Sequence, residues 1–217
     1  MIARPSKIVC VGQNYTAHAL ELGNPIPTEP VLFQKAPSSW AGPFDPVELP
    51  PGAEKLDYEV ELGVVIGRKA KRVTGEEAMS FVQGYLVLCD YSERAWQKER
   101  GGQFNKGKSH DGFCPAGPEI VPAGGIADPQ KLRIWSKVNG GIRQDSSTSD
   151  MIFGVRELVS YISQFMTLLP GDVIATGTPG GVGAGMKPPQ FLKVGDVVEL
   201  GVEGVGEIRQ EIIETPR

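Results

Sequence analysis

Two glutamates one residue apart, Glu59 and Glu61, stand in the stretch LDYEVELGVVIG at 56–67. Its even positions, Leu56, Tyr58, Val60, Leu62, Val64 and Ile66, are all apolar. Strict alternation of this length is the period of a β-strand with one face in a core. Glu59 and Glu61 therefore share the other face, about 7 Å apart along the strand. Like charges that close repel, and a buried strand keeps them only with a compensating cation. Hard divalent ions such as Mg²⁺ and Mn²⁺ take several carboxylate oxygens together with water. The plainer reading of the same pattern is the solvated acidic face of an amphipathic strand.

Four other segments carry side chains or backbone suited to chemistry. Asp90 ends the apolar run GYLVLCD (84–90), and a carboxylate at a strand terminus often serves a ligand or a reaction. It would equally serve as the N-cap of a following helix, SERAWQKER (92–100). That helix sets Arg94 and Gln97 at i and i+3, aimed near the end of the Asp90 strand. Residues 16–22 form one or two helical turns, closed by Gly23, Pro25 and Pro27. His18 and Glu21 then share a face, either as a general base and its orienting carboxylate on a mobile lid or as an ordinary surface pair. The glycine-rich loop GGQFNKGKSHDGFCPAGP (101–118) holds Lys108 and His110; no helix opens after its Lys-Ser, so it is not a phosphate-binding loop. TGTPGGVG (176–183) offers free amides to a ligand carboxylate, or is a plain tight loop.

The elements that must position these groups are mostly strands. Residues 7–11, 30–37 and 132–139 read as strands, the last leading into an Asn-Gly hairpin turn, and 40–52 is a proline-rich connection. Thr74 opens a short helix with Glu76 and Glu77 in its first turn. Residues 155–168 make the one convincing amphipathic helix, with Val155, Leu158, Val159, Ile162, Phe165 and Met166 on its core face. The tail from 194 onward reads as a β-hairpin. With 217 residues, 40% hydrophobic, and neither repeats nor a low-complexity linker, one domain over 1–217 is the economical reading. The net charge of −4 comes with no basic cluster, which argues against a nucleic-acid partner. Cys10, Cys89 and Cys114 are odd in number and read as buried free thiols in a reducing compartment. The N-terminal apolar segment is too short for a signal peptide or membrane span, so a soluble, cytoplasmic protein is expected.

In chain order, GQNYTAHALELG, EPVLFQKAP, DYEVELGVVIG, GYLVLCDYSERAWQ, KGKSHDGFCPAGP, KVNGGIRQDSSTSDMIF and LLPGDVIATGTPGGVG resemble the fumarylacetoacetate hydrolase family, in particular its short single-domain members. The resemblance implies an α+β, mostly β fold, a mixed β-roll or β-sandwich with short peripheral helices, usually as a homodimer. It implies a Mg²⁺ or Mn²⁺ site on Glu59, Glu61 and Asp90, with Lys108 beside the metal. It also implies a His18–Glu21 lid dyad and substrate-carboxylate contacts from Arg94, Gln97 and Thr178. The activity implied is hydrolysis of the C–C bond of 2,4-dioxo acids such as fumarylpyruvate or acetylpyruvate, as in aromatic degradation. Oxaloacetate decarboxylation or isomerisation of 2-hydroxyhepta-2,4-diene-1,7-dioate are the alternatives. Gln13, where many members carry Arg, and His110, where an aromatic residue is common, both depart from the pattern near expected substrate positions.

Overall fold

The computed structural model describes residues 2–215. Its first part runs β1 (Ile8–Gly12), α1 (Thr16–Glu21), β2 (Val31–Lys35), β3 (Trp40–Ala41) and β4 (Val47–Leu49). The acidic stretch forms β5 (Leu56–Asp57) and β6 (Val60–Ile66), followed by β7 (Val82–Cys89) and β8 (Ser92–Glu93). Two short helices, α2 (Arg94–Lys98) and α3 (Asn105–Lys108), lead to β9 (Cys114–Pro122), β10 (Arg133–Val138) and β11 (Gly141–Ser147). The chain then makes α4 (Val155–Phe165), β12 (Val173–Ala175), β13 (Val197–Val202) and β14 (Gly206–Glu214).

The strands form a seven-stranded sheet in the order β2-β1-β12-β6-β7-β9-β3, a five-stranded sheet β11-β10-β13-β14-β4, and the β5-β8 pair. Three pairs are parallel, β1 with β12, β3 with β9 and β4 with β14, so the arrangement is mixed. This is the α+β, mostly β architecture that the sequence indicates. The Asn139-Gly140 turn joins β10 to β11 with both residues at positive φ, 52° and 77°, the geometry of the two-residue hairpin turn that Asn-Gly favours. All three cysteines are buried and free. Among the described residues no helix is long and apolar enough to cross a membrane.

The stretch 56–67 departs from its one-strand, one-face reading. The strand breaks at Tyr58 and Glu59, and β6 is buried on both faces. Val60, Leu62, Val64 and Ile66 enter the main core with α4 and the five-stranded sheet. The opposite face begins with Glu59 and Glu61, continues through Gly63, and ends at Val65 in a second apolar cluster with Ile8, Leu86, Leu88 and Val173. A solvated acidic face is thus excluded.

Smaller corrections concern element ends. Thr74 exchanges hydrogen bonds with Glu77, but the next element is a 3-10 turn at Ala78–Phe81 rather than an α-helix. α4 ends at Phe165, whose ring is 65% exposed against Tyr161 instead of in the core. The loop at 101–118 contains α3 and the start of β9, because NKGK is too short to show a helical period.

Close packing of β7 against β9 gives a direct stability test. A methyl group at Gly84 would overlap the Val121 carbonyl oxygen, which is backbone and cannot rotate away. Gly84→Ala is expected to destabilise by about 1–3 kcal/mol. The exposed Gly124 meets nothing within 4 Å, so Gly124→Ala should be neutral or stabilising by up to about 1 kcal/mol. Urea unfolding of both variants reads the difference, and equal midpoints would refute the packing argument.

Candidate metal centre and active site

Strand register brings the acidic residues together. Val60 pairs with Cys89 across β6 and β7, and the Asp90 amide donates to the Glu59 carbonyl at 2.9 Å. Asp90 therefore lies opposite Glu59 just past the end of β7, while Glu61 follows Glu59 on the same face. The three carboxylates each present an oxygen such that all lie within 4.8 Å of one another, and all three residues are buried.

Buried charge at this density needs counter-charge. Lys108, at the end of α3, donates to Glu59 Oε2 at 2.5 Å and to Asp90 Oδ2 at 2.6 Å. Lys35, at the end of β2, donates to Asp90 Oδ1 at 2.5 Å and to the Tyr91 carbonyl at 3.1 Å. Arg94, opening α2, holds Glu59 Oε1 at 2.6 Å and Asp57 Oδ2 at 2.9 Å, with Gln97 Oε1 at 3.1 Å on its remaining nitrogen. Burial opposes ionisation of Glu59, yet Arg94 and then Lys108 hold its carboxyl well below the usual range. Burial likewise works against the Lys108 ammonium, but Asp90 and Glu59 raise it above an ordinary lysine.

Glu61 is the exception. Its Oε2 accepts the Gly177 amide at 2.7 Å, and no cation among the described residues pairs with it. Burial first, then the neighbouring Asp90 and Glu59 charges, push its carboxyl well above the usual value. A buried carboxylate lacking a cation, beside two others, is the donor set that a hard divalent ion completes. The trio fits such an ion.

Across the cavity, His18 Nδ1 lies 2.7 Å from Glu21 Oε1, and its Nε2 is 3.9 Å from Glu59 Oε1. Asn14 secures the approach to α1 by donating to the Phe153 and Thr176 carbonyls and accepting the Phe153 amide. The cavity is about 520 Å³ and is lined by His18, Glu59, Glu61, Arg94, Gln97, Lys108 and Thr178 among others. Gln13 also lines it, whereas His110 lies off it and packs on Phe113 at 5.1 Å.

The 176–183 loop turns several of its amides toward carboxylates of the protein itself. Gly177 donates to Glu61, Gly181 to Glu21 at 2.8 Å, and Gly183 and Ala184 to Asp57 at 2.7 and 3.0 Å. Small residues are needed because carboxylates approach so closely: a Cβ at Gly185 would stand 2.5 Å from Glu21 Oε2. Thr178 Oγ1 is similarly engaged, donating to the Val60 carbonyl at 2.8 Å and accepting from Gln144 at 2.7 Å. Asp90 is no helix cap; Glu93 caps α2 by accepting the Trp96 amide at 2.6 Å, and the helix is shorter than 92–100.

Lys35, Asp57 and Gln144 are site residues that local sequence pattern does not single out. Asp57 continues the odd-position acidic series of Glu59 and Glu61, and a lysine closing an apolar strand was the available sign for Lys35. Gln144 carries no such signal.

Calorimetric titration with Mn²⁺ tests the trio. The wild-type protein is expected to bind the ion and gain about 2.7 kcal/mol at a hundredfold excess over Kd. Glu61→Gln should lose that gain, and its metal-free form should be about as stable as wild type, since Glu61 has no cation partner to lose and Gln can still accept the Gly177 amide. A full metal-induced gain in the variant would remove Glu61 from the ligand set.

Residues 7–213 match the family model described as the fumarylacetoacetate (FAA) hydrolase C-terminal domain. A Burkholderia cenocepacia protein is 51% identical over 207 residues, 95% of this chain and 73% of that protein. The human protein named oxaloacetate tautomerase FAHD2A, mitochondrial, is 47% identical over 213 residues, 98% of this chain and 68% of its own length. The fumarylacetoacetate hydrolase of the psychrophile Exiguobacterium antarcticum superposes with a TM-score of 0.91 at 44% identity, over 98% of this chain and 76% of that one. With a trio suited to a divalent ion at the centre of the same fold, this chain belongs to the fumarylacetoacetate hydrolase family.

Proposed function

We propose that this protein hydrolyses the C–C bond of 2,4-dioxo acids (acylpyruvates), yielding pyruvate and a carboxylic acid, with Mg²⁺ or Mn²⁺ on Glu59, Glu61 and Asp90. The observation that carries the reading is the His18–Glu21 pair facing the carboxylate trio across one cavity. A bound divalent ion would polarise the 2-oxo group and offset negative charge on the departing three-carbon unit. Glu21 accepts the Nδ1 proton of His18, which leaves the Nε2 lone pair directed into the cavity. Nε2 removes a proton from water as the water oxygen bonds to the distal carbonyl carbon. The bond from that carbon to C3 then breaks, its electron pair remains on C3, and protonation there gives pyruvate.

Lys108 contributes positive charge at the reacting end without leaving Glu59 and Asp90. Arg94, Gln97 and Thr178 line the binding end; the Arg94 fork is already engaged, so it acts on the substrate through its field more than as a bidentate clamp. The family match over 7–213 supports reading the chain as one catalytic domain. A homodimer rests on the same kinship, and a cytoplasmic location on the three buried free thiols, which suit a reducing compartment.

One finding favours a second reading. The human relative at 47% identity is named for tautomerisation of oxaloacetate, which needs proton transfer at C3 and no attacking water. Decarboxylation of oxaloacetate also dispenses with that water. A complete base–carboxylate dyad is best used by hydrolysis, and product analysis separates the cases.

Purified protein incubated with acetylpyruvate, fumarylpyruvate and oxaloacetate, with Mg²⁺ or a chelator, should release pyruvate plus free acid in a chelator-sensitive manner. Action on oxaloacetate with both dioxo acids untouched would replace hydrolysis by the second reading. His18→Ala should cut hydrolysis by about 10²–10⁴-fold while leaving Mn²⁺ affinity close to wild type. Unchanged turnover in that variant would remove the general-base role.

A further inference from the structure

Besides the carboxylate trio's neighbours, the cavity is lined by the apolar Val11, Leu22, Pro25, Val31, Phe33 and Phe104. Glu59 and Glu61 are the carboxylates of the wall, and both belong to the metal centre. The remaining full charge is Lys98, four residues after Arg94 on α2 and so on the same side of that helix. Arg94 and Lys108 are saturated by Asp57, Glu59 and Asp90, whereas Lys98 has no ion pair or side-chain hydrogen bond among the described residues. Burial first, and then the like charge of Arg94, lower its ammonium below an ordinary lysine. It is an exposed cation at the cavity with no anion of its own, beside apolar side chains and the neutral polar Gln13 and Asn24. At about 520 Å³ the cavity takes far more than a three-carbon head group.

We propose that Lys98 is a specificity residue that reads a second anionic group on the substrate, so that the cavity selects 2-oxo acids ending in a carboxylate on a short apolar chain over those ending in a neutral group. The inference rests on the reading of the carboxylate trio as the seat of a 2-oxo acid head. The apolar side chains pack along the substrate's middle carbons, and Lys98, on the cavity lining and free of an anion, is placed to meet a second negative charge.

Isothermal titration of the Mg²⁺-supplemented protein with 2-oxoadipate and 2-oxohexanoate tests it, since the two share a chain length and differ in the terminal group. Wild type should bind 2-oxoadipate about tenfold more tightly, equivalent to about 1.4 kcal/mol. Lys98→Gln should erase the preference by weakening 2-oxoadipate alone, and Lys98→Arg should retain it. Equal affinities in wild type, parallel loss of both probes in Lys98→Gln, or binding of neither probe would overturn the proposal. Neither probe has a cleavable 1,3-dicarbonyl, so the contrast is independent of turnover. The preference without acylpyruvate cleavage would sustain the role of Lys98 and overturn hydrolysis alone. Cleavage of fumarylpyruvate with the same kcat/KM in wild type and Lys98→Gln would sustain hydrolysis and overturn Lys98.

Discussion

Three carboxylates buried within 4.8 Å of one another set the terms for the rest of this molecule. Each ionised group removed from water needs a partner, and removing one partner from such a pair typically costs about 3–5 kcal/mol. The partners come from separate elements: Lys35 from β2 at the sheet edge, Arg94 from α2 and Lys108 from α3. The charges thus hold α2 and α3, two helices far too short to be stable alone, against the ends of β6 and β7. Ion pairs of this kind add little net stability over an apolar core. Their consequence here is placement.

The glycine-rich loop after β12 is the backbone counterpart of those cations. Its amides serve Glu61, Glu21 and Asp57 in turn, one carboxylate of the buried trio, one paired with His18 and one behind Arg94. A single loop therefore fixes the mutual position of the trio, the histidine's orienting group and the arginine. A side chain at Gly183 would meet the Gln190 carbonyl and then Asp57, one at Gly181 the Arg143 carbonyl, and one at Gly185 the Glu21 carboxylate, so these glycines let both backbone and acids approach the main chain. Fully satisfied networks of this sort are rigid, which suits a site that must hold acid, base and ion ligands in register.

Local periodicity carried much of this into the sequence. The placement of Glu59 beside Glu61 came from the two-residue period of a strand, and the His18–Glu21 contact from helical i, i+3 spacing. What period could not convey was the covering of the odd face of β6, because that depends on Ile8, Leu86 and Val173 arriving from distant strands. The same limit applies to Lys35, which bonds Asp90 55 residues away, and to Gln144, which bonds Thr178 34 and Val60 84 residues away. Amides in TGTPGGVG were visible as donors, but not that Gly177, Gly181 and Gly183 would serve carboxylates distant in the chain. Phe165 shows the converse error, an apolar residue in helical phase that the core does not reach.

Charge balance also orders the events at the site. Asp57, Glu59, Glu61 and Asp90 bring four carboxyl groups against the three positive charges of Lys35, Arg94 and Lys108. Burial and the neighbouring Asp90 and Glu59 work against ionising Glu61. With it neutral the charges balance, and with it ionised one negative charge is in excess, which a divalent ion would offset. Because Arg94 is held by two carboxylates, it cannot substitute for that cation by turning its fork to the substrate. The charge state of the floor therefore turns on Glu61, the acid of the four that has no cation partner among the described residues.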